Sequence, residues 1–173
     1  HWHDTADYRF APRPDLADDP VFRANIARLA DYDFVFDLQV FAGQMAGAAR
    51  LAADCPKTTF VLQHAGMLET DDDAGRAAWR EGMARLAAQP NVVAKLSGLG
   101  TFIRRLDAEW IKAVASETLA LFGAARCLWG SNFPIEKLWC GYADLVAAHR
   151  AAIPPPDWAS IFETVAARVY RIA

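Results

Sequence analysis

Cysteine is scarce: Cys55, Cys127 and Cys140 are the three in 173 residues. They form no CxxC pair and are too few for a disulfide scaffold, so reduced thiols in a cytoplasmic protein are expected. No apolar run is long enough to span a bilayer, which excludes a transmembrane helix in this sequence. An excess of one charge is also missing. Eighteen Lys and Arg against 21 Asp and Glu leave a net charge of -3. That balance argues against a nucleic-acid footprint and against a cationic membrane face. The chain opens on neither a Met nor a basic-then-apolar leader, and no internal repeat stands out. What it does hold is apolar mass, 54% hydrophobic with 23% charged. That is enough for a packed core and too apolar for disorder.

Four short apolar, β-rich runs recur, at residues 34–40, 58–64, 92–97 and 127–131. A longer segment of helical character follows each. Asp19 before Pro20 reads as an N-cap ahead of a first-turn proline. Phe22, Ile26 and Leu29 then form one stripe, and Met45, Ala48, Ala49 and Ala52 another. Trp79, Met83 and Leu86 repeat the spacing. Asp107 can cap a helix carrying Ile111, Val114, Thr118 and Leu121, which Gly123 ends. After Pro154, Pro155 and Pro156, Asp157 can start a last helix with Ile161, Phe162, Val165 and Val169 inside.

Strands alternating with helical crossovers predict an α/β fold with a parallel sheet. A small doubly wound sheet and part of a (β/α)8 barrel both fit. Each places function at the carboxyl ends of the strands. That rule selects Asp37, Gln39 and Gln44 near the first run, His64 at the second, Lys95 and Ser97 on the third, and Ser131 and Asn132 at the fourth.

His64 is the sharpest of these. A neutral imidazole ending an apolar strand can bind a metal, polarise a carbonyl or move a proton. The plain alternative is a histidine bonded across a loop. Lys95 shares a strand face with Val93 and Ser97. It must reach a carboxylate, a substrate anion or solvent. Asn132 can donate and accept hydrogen bonds but has no useful basicity; an Asx-type turn before Pro134 is its bland reading. His1 and His3 have the spacing of a shared metal pair on a strand, but a surface or disordered terminus explains them more simply. The acids Glu69, Asp71, Asp72 and Asp73 suit a solvated loop or a helix start. The Ser97-Gly98-Leu99-Gly100 stretch lacks the nucleotide-loop patterns.

Three motifs occur in order: Phe60-Val61-Leu62-Gln63-His64-Ala65-Gly66, then Asn91-Val92-Val93-Ala94-Lys95-Leu96-Ser97-Gly98, then Arg126-Cys127-Leu128-Trp129-Gly130-Ser131-Asn132-Phe133-Pro134. Together they resemble the amidohydrolase-related family of TIM-barrel hydrolases. The closer likeness is to its lactonase branch, which includes 2-pyrone-4,6-dicarboxylate and sugar lactonases. Ala166-Ala167-Arg168-Val169-Tyr170 resembles that family's last helix. The resemblance implies that residues 1–173 are the C-terminal half of a (β/α)8 barrel, its last four βα units plus a helix. His1 to Asp4 would be the exit of the fourth strand, and the family's HxH pair would lie outside the chain.

By the same resemblance, the substrate is a small molecule with a lactone, ester or amide carbonyl. Gln39, Gln44, Lys95, Ser97 and Ser131 are the substrate-binding candidates. A divalent metal such as Zn or Mn can assist, although the lactonase branch can work without one; His64 is the one metal-ligand candidate. His64 matches the family's sixth-strand histidine and Asn132 the position of its catalytic aspartate. The Asp-to-Asn change removes the carboxylate that would take a proton from water. Asn132 is then expected to orient water or a carbonyl, with His64 as the acid–base group. A catalytically silent small-molecule binder and a free-standing doubly wound interaction domain remain as alternatives.

Length bears on this. A complete barrel typically takes about 250 residues. Four strand–helix units cannot close one, so an apolar inner face and two bare edges are expected, together with a need for the N-terminal half or a complementary chain.

Overall fold

A computed structural model describes residues 1–172. Four strands form one parallel sheet: β1 (Val35–Leu38), β2 (Thr59–Leu62), β3 (Val92–Leu96) and β4 (Cys127–Trp129). Their spatial order is their chain order, β1-β2-β3-β4. A doubly wound sheet must reverse its order at a switch point, and this one never does. Right-handed crossovers without a reversal put every connecting helix on one face, as in an arc of a barrel.

The helices are α1 (Pro20–Arg28), α2 (Met45–Asp54), α3 (Asp73–Ala87), α4 (Ala108–Phe122), α5 (Tyr142–Ala152) and α6 (Val165–Tyr170). Asp19 and Asp107 cap their helices as the sequence implies, and within the acidic run before α3 it is Asp72 that caps. Asp19 accepts from the Phe22 amide at 2.8 Å, Asp72 from Gly75 at 2.8 Å and Asp107 from Trp110 at 3.1 Å. Each cap satisfies one of the open amides of a helix's first turn. Gly123 ends α4 at φ 72°. The register pairs Leu38 with Leu62 and Leu62 with Ala94. Strand periodicity then divides the side chains. Phe60, Leu62, Val92, Ala94, Leu96 and Cys127 face α1 to α4 and form the main core.

Val61, Val93 and Leu128 point the other way, to the concave face. The sequence reading expects that face to be bare, and the structure corrects this. Val61 is 0% and Leu128 1% exposed, because Val165 and Val169 of α6 lie on them. The chain passes the β4 edge through a wide turn at Ser160–Thr164 and lays α6 across the inner surface. Tyr170 Oη then donates to Asp37 at 3.2 Å, and Arg171 reaches Asp33 before β1. Burying this apolar surface replaces water contact that an open half-barrel would otherwise suffer.

Candidate functional site

The second and third strands each lead into a loop that the next helix holds down. Trp79 of α3 donates its indole N–H to the Ala65 carbonyl after β2 at 2.8 Å. Trp110 of α4 donates to the Leu99 carbonyl after β3 at 3.0 Å. Both rings are buried. The loops so held carry unusual backbone. His64, Ala65, Gly66 and Met67 all have positive φ, at 55°, 46°, 72° and 50°. They make one left-handed turn, closed by the Met67 amide donating to the His64 carbonyl at 2.9 Å. The second strand therefore ends at Leu62 and not at His64. Gly98 after β3 and Asn132 after β4 are also left-handed, at φ 62° and 54°. Non-glycine residues resist this region, so such strain persists only where the surroundings impose it.

The three loops converge. A Cβ placed on Gly98 would lie 2.5 Å from His64 Nδ1 and 3.1 Å from Asn132 Nδ2. Those side chains thus flank the bare Gly98 backbone. His64 Nδ1 lies 3.0 Å from Ser97 Oγ. His64 and Asn132 both line a cavity of about 730 Å³, with Asp37, Gln39, Gln44, Thr101 and the aromatic wall of Tyr8, Phe41 and Phe102. It sits at the carboxyl ends of the strands.

Burial pushes the His64 pKa below the usual histidine value, and the Lys95 ammonium lowers it further against opposing contributions from Ser97 and Asp37. His149, bonded to the Leu145 carbonyl and buried against Trp129, is lowered for the same first reason. The sign of the pH dependence follows. An unfolded chain takes up these protons near 6.5, before the native state does. Stability is therefore full above 6.5 and falls as pH drops toward the lowered native values. Thermal melts should show the midpoint decreasing from pH 7.5 to 5.5, with a shallower decrease in His64→Gln/His149→Gln. A wild-type midpoint flat across that interval would refute the assignment.

Not every expected residue reaches the cavity as foreseen. Gln39 lines it, its amide against Met67 Sδ at 3.4 Å. Gln44 lines it too, but its Oε1 accepts from the Trp2 amide at 3.0 Å, tying the first residues to α2. Ser97 acts on His64. Lys95 points to the concave face with its Nζ 5.6 Å from the centre of the Tyr170 ring, because the strand pleat alternates and α6 covers that side. Ser131 Oγ accepts from the Phe133 amide at 3.3 Å and serves the turn. Nor is the amino-terminal stretch a loose surface. His1 packs against Phe10 and Phe41 at the cavity, and His3 pairs with Glu69 at 2.9 Å. The sequence reading missed Glu136, Thr101 and the two anchoring tryptophans. Only the i, i+4 spacing of Asn132 and Glu136 hinted at the first.

Among the described residues, no group of three or more His, Cys, Asp or Glu stands close enough to hold a metal ion. The imidazoles lining the cavity are those of His64 and of His1, the latter packed against Phe10 and Phe41, and His3 is engaged by Glu69. A divalent metal that needs three or more protein ligands does not fit these residues alone.

A sequence model described as amidohydrolase matches residues 3–172. The chain belongs to the amidohydrolase family. Among its relatives, an uncharacterised protein of Sinorhizobium fredii is 30% identical over 99% of this chain and 59% of its own length. An L-fucono-1,5-lactonase of Burkholderia multivorans is 34% identical over 76% of the chain and 48% of its own. A crystal structure of an amidohydrolase from Burkholderia multivorans with bound zinc superimposes with a TM-score of 0.85. Its identity is 29%, over 92% of this chain and 60% of that one. The chain thus spans about half to three-fifths of the length of these amidohydrolases. The sheet and its crossovers are the α/β arrangement of a partial TIM barrel.

Proposed function

We propose that the chain is the C-terminal half of a lactone-hydrolysing barrel, with four further βα units completing its site and taking the place of α6 on the concave face. One observation carries this: His64 and Asn132 both close on the space that a Gly98 side chain would take, past the strand ends, and both line one cavity. The named lactonase relatives support the choice of a cyclic ester over an amide.

In this reading a lactone carbonyl lies against His64 and Asn132. The His64 Nδ1–H donates to Ser97 Oγ, which leaves Nε2 with its lone pair toward the cavity. Burial keeps that imidazole neutral at neutral pH, so Nε2 can accept a proton from water as the water oxygen bonds to the carbonyl carbon. The ring C–O bond then breaks. The departing alkoxide takes the proton back and a hydroxy acid results. Asn132 Oδ1 holds the water and contributes no basicity of its own. Gln39 and the aromatic wall are the proposed contacts to the rest of the substrate. No step is routed through a metal ion, since the described residues do not by themselves bring together the ligands of a metal site.

The test is hydrolysis of L-fucono-1,5-lactone and of other aldonolactones by the barrel with its four further βα units in place, followed by proton release, with His64→Ala and Asn132→Ala alongside. Loss of the acid–base group should lower kcat by about 10²- to 10⁴-fold. Unchanged turnover in both variants would sink the site. Saturable lactone binding without turnover would favour the silent relative, a reading that Asn132 in the place of a carboxylate supports.

A further inference from the structure

We infer that Glu136 is a positioning residue for the proposed hydrolysis, carrying the negative charge that Asn132 lacks and setting Asn132 through a hydrogen bond. The inference rests on the lactonase reading for its consequence and on geometry for its substance. Glu136 is 1% exposed although it lies in a short surface turn, Ile135–Leu138. Its Oε1 accepts from Thr101 Oγ1 at 3.0 Å and from Asn132 Nδ2 at 3.3 Å. Its backbone amide donates to the Asn132 carbonyl at 3.2 Å. Among the described residues its side-chain bonds run to neutral groups. A carboxylate withdrawn from water with no cation is costly and calls for a reason.

The socket around it is fitted. A Cβ on Gly100 would lie 2.9 Å from Glu136 Oε2 and 2.8 Å from the Arg105 carbonyl. The loop after β3 thus brings bare backbone up to the carboxylate. The two donors that meet Oε1, on Thr101 and Asn132, both belong to residues lining the cavity, whereas Glu136 does not itself line it. It works from behind.

The chemistry follows from what each group can do. A carboxylate only accepts, and an amide has one donating and one accepting end. Glu136 therefore admits only the Nδ2 end of Asn132. The amide cannot turn over, and Oδ1 is left as the acceptor for a ligand. The adjacent negative charge polarises the N–H and strengthens that acceptor. A water held there keeps its lone pair for a carbonyl carbon and its proton for His64.

The experiment uses the whole chain, isotopically labelled. The Asn132 side-chain amide signal is identified by its loss in Asn132→Ala. Its hydrogen exchange is then read in wild type, Glu136→Gln and Glu136→Ala. Loss of one charge-assisted bond should speed exchange by about tenfold or more in Glu136→Ala, with a smaller change in Glu136→Gln. An Asn132 signal unmoved in both overturns the proposal. Lactone turnover gives the second arm. Glu136→Gln should lower kcat about tenfold or more and shift KM little, since the water is affected and not the substrate.

Asn132→Asp alone sets two carboxylates against each other. Asn132→Asp/Glu136→Gln returns the charge to position 132 and should recover turnover above either single variant. Equal, additive losses in all three would mark Glu136 as merely structural and overturn the role. If the wild-type barrel, completed by its four further βα units, turns over no lactone while the exchange signature is present, the lactonase reading fails and the Glu136–Asn132 coupling stands.

Discussion

Trp79→Ala should cost this protein about 3–5 kcal/mol, the usual range for emptying a buried tryptophan site. It should also release His64. Trp79 is 1% exposed and stands under the left-handed turn with Met45 and Met83. Its indole N–H is the bond partner of the Ala65 carbonyl. Three non-glycine residues in that turn, His64, Ala65 and Met67, hold positive φ, each at a strain of about 1–2 kcal/mol. Strain of that size persists because buried contacts oppose it, and Trp79 supplies both packing and a hydrogen bond to the turn. Trp79→Phe separates the two contributions. It keeps most of the packing and leaves a buried carbonyl without its donor, a loss of about 1–3 kcal/mol. Denaturant unfolding measures the stability, and the His64 imidazole resonances report the site. A Trp79→Phe protein as stable as wild type, with unshifted His64 signals, would show that the bond does not hold the turn.

Gly98→Ala is expected to disable the site even where the fold survives. The added Cβ would fall 2.5 Å from His64 Nδ1 and 3.0 Å from its Cγ. Those atoms belong to a stiff ring seated on a strained backbone, so little can give. On the other side Asn132 Nδ2 is 3.1 Å away. The left-handed φ of 62° adds about 1–2 kcal/mol for any residue with a Cβ. Overpacking adds about 1–3 kcal/mol more. His64 must then swing away from Ser97, or β3 must shift. Turnover should fall at least as far as in His64→Ala, and the Ser97–His64 contact should be lost. Crystals of Gly98→Ala with His64 and Ser97 in place would contradict this.

Much of the architecture was readable because short-range chemistry governs it. Apolar runs and cap residues located four strands and the helices between them. Asp19, Asp72 and Asp107 cap because a carboxylate at that spacing reaches the open amides of a first turn. Strand order was not readable, and the choice between a doubly wound sheet and a barrel arc stayed open until the sheet was seen. At the site, His64 and Asn132 lie two and three residues past the ends of β2 and β4, near enough for the apolar runs to point to them, while their left-handed backbone left no mark in the sequence. The surroundings of Lys95 were not legible, since alternation along a strand tells which residues share a face and not that α6 lies against it.

The sequence by itself determined the parallel α/β succession, the helix starts and the identity of the residues at the strand ends. These depend on neighbours within a turn or two of chain. The tertiary structure alone decided the rest. It withdrew Glu136 from water beneath Asn132 and wound His64 into a left-handed turn. It also folded α6 over the concave face. Each of these depends on groups far apart in sequence, and each is a case where packing imposed a conformation that local preference opposes.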